Sequence, residues 1–112
     1  MMVFCLKRHD RLPAITYVVT DNEGLPLDLT PYTAVRFFMR QRDHTELKVS
    51  GNASFDGDKQ DGIVRYEWAD GDTDTAGVFF AEFELEDASG KKRSVPSTGL
   101  IRIEIAGDLD DA

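Results

Sequence analysis

Apolar and charged residues alternate one for one along several stretches of this chain, and that period decides what it can fold into. Ile101-Arg102-Ile103-Glu104-Ile105 is the cleanest case. Phe79, Ala81, Phe83 and Leu85 share one face of another stretch, and Glu82, Glu84 and Glu86 share the other. Val35, Phe37 and Met39 alternate with Arg36, Phe38 and Arg40. Val64, Tyr66 and Trp68 alternate with Arg65 and Glu67. Successive side chains of a strand point to opposite faces, so a sheet sorts these residues into inside and outside. A helix would smear them around its cylinder.

Eight short strands are expected, over 3–8, 14–20, 33–40, 45–50, 62–68, 77–86, 91–95 and 100–105, with a weak element near 53–55. Ile15, Tyr17 and Val19 point inward in the second. Turn chemistry separates the strands. Asp21-Asn22-Glu23-Gly24 offers side-chain acceptors and a glycine, and Pro26 bars a central ladder position after it. Asp56-Gly57-Asp58 and Asp61-Gly62 repeat the pattern, and Asp87-Ala88-Ser89-Gly90 joins two antiparallel neighbours. The best helical candidate is a single turn within 31–34 or 72–76. One amphipathic sheet cannot hide its own apolar face, so a second sheet must cover it or the sheet must curl closed. The expected fold is an all-β, immunoglobulin-like antiparallel sandwich of about seven to eight short strands, with a small barrel as the competing solution. Tyr66 and Trp68 serve either as core anchors or as caps on an open end.

At 112 residues the chain suits one domain, expected over 1–106, with an acidic tail at 107–112 that frays. No apolar run approaches the length of a membrane span. The start MMVFCLKRH is charged too soon for the apolar segment of a secretion signal, so export by that route is not expected. Thirteen basic against 21 acidic residues leave a formal charge of −8, which repels a phosphate backbone and argues against nucleic-acid binding. Lys91-Lys92-Arg93 fits a solvated hairpin tip better than a basic patch.

Candidate chemistry is thin. Glu82, Glu84 and Glu86 line one strand face, but successive members stand about 7 Å apart in wet surroundings. They fit a solvent-facing row paired with Arg102 or Arg36 across strands. Asp70-Gly71-Asp72-Thr73-Asp74 opens like a calcium loop, yet Thr75 and Ala81 stand where an EF-hand needs glycine and glutamate. Asp56, Asp58 and Asp61 form a second acidic turn. Cys5 with His9 or His44 lacks a third catalytic group and is one ligand short of an ordinary zinc site. Cys5 is expected to be small and buried. Neither a metal nor any other cofactor is expected.

Phe38 and Phe80 are more informative. Each sits opposite its strand's main apolar face, among charged or polar neighbours, and Val78 lies on the same side as Phe80. Two explanations stand: a loop or the N-terminal segment covers this outer face, or Phe38, Val78 and Phe80 form a contact surface for another chain.

The order of elements is also familiar. It runs through Val19-Thr20-Asp21, Gly24-Leu25-Pro26-Leu27-Asp28-Leu29-Thr30 and Val35-Arg36-Phe37. Gly62-Ile63-Val64-Arg65-Tyr66-Glu67-Trp68 and Gly77-Val78-Phe79-Phe80-Ala81-Glu82-Phe83 follow, and Pro96-Ser97-Thr98-Gly99 precedes Ile101-Arg102-Ile103. From about Pro13 to Ile105 this resembles the N-terminal domain of phage baseplate upper proteins and related small phage tail proteins. The resemblance implies an immunoglobulin-like building unit without catalytic residues. It also implies turns at Gly24, Gly62 and Gly77, a loop pinned to the core by Leu29, and a middle filled by Tyr66, Trp68 and Phe79. Phe79 stands where tyrosine is more usual in that family. Baseplate upper proteins continue into a long second part that this sequence lacks, so the expected role is a free-standing accessory or assembly protein of a tail or baseplate. Its expected partners are other tail proteins or further copies of itself, and its expected location is the virion, assembled in the host cytoplasm. The alternative is a carbohydrate- or receptor-binding sandwich that uses its end loops at 56–61 and 70–74, in one version with calcium. An enzyme is not expected.

Overall fold

A computed structural model describes residues 2–107. The expected fraying of the tail therefore concerns residues that lie, from 108 onward, outside the described ones. Among the described residues nine strands follow one another: β1 (Val3–Lys7), β2 (Ile15–Val18), β3 (Tyr32–Gln41), β4 (Leu47–Asn52), β5 (Ser54–Phe55), β6 (Ile63–Tyr66), β7 (Gly77–Asp87), β8 (Lys92–Val95) and β9 (Ile101–Ala106). The count exceeds the expected seven to eight because the weak element near 53–55 pairs with β6 and becomes β5. The helical turn falls in neither expected place. It is a 3-10 turn at Lys59–Asp61, where the Asp58 side chain accepts from the Gln60 N–H and Gly62 follows at a φ of 73°.

Two sheets form. In the larger, β1, β9, β7, β3 and β4 are neighbours in that order, and β8 also pairs with β7. The smaller runs β2-β6-β5. They face each other across a common core, so the amphipathic strands resolve as a sandwich and not as a barrel. Most neighbours are antiparallel, but β1 runs parallel to β9. β9 covers Gly77–Ala81 of β7, and β8 covers Phe83–Glu86 on the same side. Between them comes Pro96, which has no N–H to give to a ladder.

The alternation explains which face is buried. Val35, Phe37 and Met39 of β3, Phe79, Ala81, Phe83 and Leu85 of β7, and Ile101, Ile103 and Ile105 of β9 all point into the core. Ile15, Val64, Tyr66 and Trp68 meet them from the other side, and Leu29 closes in from the loop before β3. Phe37 is the hub. Its ring centroid lies 4.5 Å from that of Tyr66, 5.0 Å from Phe83 and 5.6 Å from Trp68. Burying one such side chain stabilises the fold by about 1.5–3 kcal/mol.

The end of the sandwich nearest Trp68 is laced by polar contacts. Trp68 Nε1 donates to the Pro13 carbonyl at 3.2 Å, and Arg11 Nε donates to the Trp68 carbonyl at 3.0 Å. Thr73, buried, donates its hydroxyl to the Asp10 carbonyl at 2.8 Å, while the His9 N–H donates back to the Thr73 carbonyl. Cys5 corrects an expectation. It is exposed on β1, because alternation in Phe4-Cys5-Leu6 hands the inner side to Phe4 and Leu6.

Candidate interaction face

The outer face of the larger sheet carries the residues that sequence pattern singled out. Phe38, Val78 and Phe80 are all half-buried; Phe37 and Met39 beside Phe38, and Phe79 and Ala81 beside Phe80, are fully buried and point the other way, as Phe79 does beside Val78. Their positions follow from register. Phe38 lies opposite Glu82 on β7 and Ser50 on β4. Phe80 lies opposite Arg40 on one side and Arg102 on the other. Val78 lies opposite Glu104. The Arg36 guanidinium carbon sits 5.5 Å from the centre of the Phe38 ring, where a cation is attracted to the π-face.

The structure adds two apolar residues. Leu47, about half exposed, and Leu100 join Phe38, Phe80, Arg40 and Glu82 around a shallow groove of about 60 Å³. Simple alternation would put Leu47 on the same side as the buried Val49. A register shift prevents this: Met39 pairs with Val49, but Arg40 pairs with Leu47. Such a bulge turns the extra residue out of step and re-aims its neighbour. Lys48, the residue skipped, reaches Asp74 with its ammonium. No local sequence signal marks a bulge of this kind, and Leu100 is found only through the path of the segment between β8 and β9.

The glutamate row sits on the same face, half-buried. Glu84 meets Lys92 at 3.9 Å, and Arg102 turns to Glu104 of its own strand at 3.4 Å. Arg36 donates to the Ser50 hydroxyl at 3.3 Å. These contacts differ from the expected pairs of the row with Arg36 or Arg102, although Arg36 does oppose Glu84 in register.

The other candidates are dispersed. β9 and β7 lie between β1, which carries Cys5, and β3, which leads to His44. Three of the acidic loop carboxylates, those of Asp58, Asp72 and Asp74, are engaged within the chain. Asp72 accepts from the Tyr66 hydroxyl at 2.5 Å and from the Ala69 N–H at 2.8 Å. Burial, followed by this Asp72 contact, pushes the Tyr66 hydroxyl well above its ordinary pKa. Asp74 is held below the usual carboxylate range by Lys48 and then by Thr75. Asp58 caps the 3-10 turn. Among the described residues no three His, Cys, Asp or Glu side chains come together as a metal site. Among them, too, no helix is long and apolar enough to cross a membrane.

Fold and face together define an all-β sandwich with an amphipathic outer surface on its larger sheet. No family model matches the chain, and no curated protein matches it.

Proposed function

We propose that this chain is a non-enzymatic assembly module of a phage tail or baseplate, working in the virion by protein–protein contact through the outer face of its larger sheet. The observation that carries the contact is the placement of Phe38, Val78 and Phe80, with Leu47, on a face that no other element covers completely. Aromatic residues bordered by arginine are what the buried centres of interfaces are made of. The phage assignment rests on the resemblance carried by the segments from Val19 to Ile103.

The immunoglobulin-like part of the reading is supported by strand order. The path β2-β6-β5 against β9-β7-β3-β4 parallels the B-E-D and G-F-C-C′ order of variable-type immunoglobulin domains. With one cysteine there is no inter-sheet disulfide, and Phe37, Tyr66 and Phe83 join the layers in its place. A rigid unit of this kind contributes shape and surface, and particle symmetry multiplies each modest contact.

The test is mass spectrometry of purified particles from a host that carries the gene. The chain is expected in them at a fixed ratio to the tail proteins, and its Phe80→Asp variant, folded by circular dichroism, is expected to be lost. Particles that lack the parent chain, or that keep the variant at the parent's level, overturn this reading.

A further inference from the structure

We infer that the partner on this face is a second copy of the chain, docked sheet to sheet about a two-fold axis running along the strands between β3 and β7. This rests on the assembly reading above and adds the identity of the partner.

Charge favours the face. Two copies, each at −8, repel one another over most of their surface. The middle of this sheet is different, because Arg36, Arg40 and Arg102 on β3 and β9 flank Glu82, Glu84 and Glu86 on β7. With Lys92 of β8 and Glu104 of β9 added, four positive and four negative groups let two acidic molecules meet here without net repulsion.

The pattern is also complementary to itself. Within one sheet, Arg36 opposes Glu84 and Arg40 opposes Phe80. A two-fold axis between these strands lays β3 of one copy over β7 of the other. Each side chain then faces the residue that opposes it in its own sheet. Arg36 of each copy meets Glu84 of the other, so the ion pair forms twice. Arg40 meets the Phe80 ring as a cation over a π-face, also twice. Phe38 covers the methylene stem of Glu82. The same patch serves both copies, as a two-fold interface requires.

Size is sufficient. Four strands spaced at ~4.8 Å, over about 30 Å of strand length, present roughly 600 Å². Two such faces bury about 1,200 Å², the lower bound of stable specific interfaces.

Sedimentation velocity of the pure chain, from about 1 µM to about 1 mM, is expected to show a monomer passing into a dimer. Arg36→Glu and Glu84→Arg, each checked for fold by circular dichroism, are each expected to weaken the dimer about tenfold or more, because like charges then meet twice. An equimolar mixture of the two variants pairs opposite charges again and is expected to recover the dimer. Contacts within one sheet give no such recovery. A parent that stays monomeric throughout, or a mixture as weak as its components, overturns the inference. If a reversal unfolds the chain, Phe80→Asp replaces it: loss of the dimer supports the inference and retention overturns it. The two proposals fail separately. A monomeric chain that is present in particles and lost from them as Phe80→Asp overturns the second-copy partner and keeps the assembly reading. A chain that dimerises as described but is absent from particles does the reverse.

Discussion

The rings of Phe37 and Tyr66 stack 13° from parallel with centroids 4.5 Å apart, and the two residues belong to opposite sheets. This pair bridges the layers at the centre of the core, and both members also meet Trp68 edge-on. Truncating the hub removes contacts to both sheets and leaves a cavity that the sheets cannot close. Phe37→Ala is therefore expected to cost about 3–5 kcal/mol, and Phe37→Leu clearly less. Urea denaturation followed by tryptophan fluorescence reads both. A loss below about 1 kcal/mol for the alanine variant would remove Phe37 from the centre of the fold.

Two glycines are held in place by different physics. At Gly51 a Cβ would stand 2.9 Å from Tyr66 Cε1, so Gly51→Ala pushes on the ring that stacks with Phe37. At Gly62 the φ is +73° and a Cβ would stand 2.9 Å from the carbonyl oxygens of both Leu27 and Val19. Backbone cannot rotate aside as a side chain does. Gly57 has a similar φ of +68° but open space around it. The expected order of destabilisation is Gly62→Ala above Gly57→Ala, with the latter near ~1 kcal/mol. Thermal melts of Gly51→Ala, Gly62→Ala and Gly57→Ala check it, and equal effects at Gly62 and Gly57 would refute the steric part.

Stability is expected to fall on both sides of neutral pH. The Tyr66 hydroxyl has a pKa raised by burial and by Asp72. A group raised in the folded state favours folding below its unfolded pKa, which is 10.0 for tyrosine, and that contribution disappears as pH climbs through the folded value. Tyr66→Phe has no proton to lose, so its stability curve is expected to flatten above pH 10 relative to the parent. Asp28, Asp74 and Asp87 have lowered pKa values, through Thr30, Lys48 and Ser89 respectively. Their contribution is present above the ordinary carboxylate value of 3.8 and fades as pH drops below it. Denaturation midpoints measured across the acid and alkaline ranges test both signs.

Adjacent phenylalanines on β7 should respond in opposite ways to the same substitution. Phe79 is 1% exposed and faces the core, whereas Phe80 is half-buried on the outer face. Phe79→Asp buries a charge with no partner and is expected to abolish cooperative folding. Phe80→Asp is expected to cost no more than about 1 kcal/mol and to act on association instead. Near-ultraviolet circular dichroism with a thermal melt separates the two. Similar losses from both substitutions would mean that the outer face is part of the core.

The period-two pattern located most of the strands and, away from bulges, set which way their side chains point. Phe79 inward and Phe80 outward follow from the geometry of an extended chain, and so do the inward Phe37 and the outward Phe38. That is local information, written in adjacent residues. Pairing is not local. The parallel docking of β1 on β9 brings together residues about a hundred positions apart, and nothing in Val3–Lys7 specifies its neighbour. The capture of Ser54–Phe55 by β6 and the bulge that swings Leu47 onto the outer face were likewise decided by tertiary structure. The physical reason is common to all of them. Alternation states only that a residue has a partner side and a free side, while the register of the neighbouring strand decides what stands there. The opposition of Arg36 to Glu84, on which the two-fold pairing depends, is a fact of that second kind.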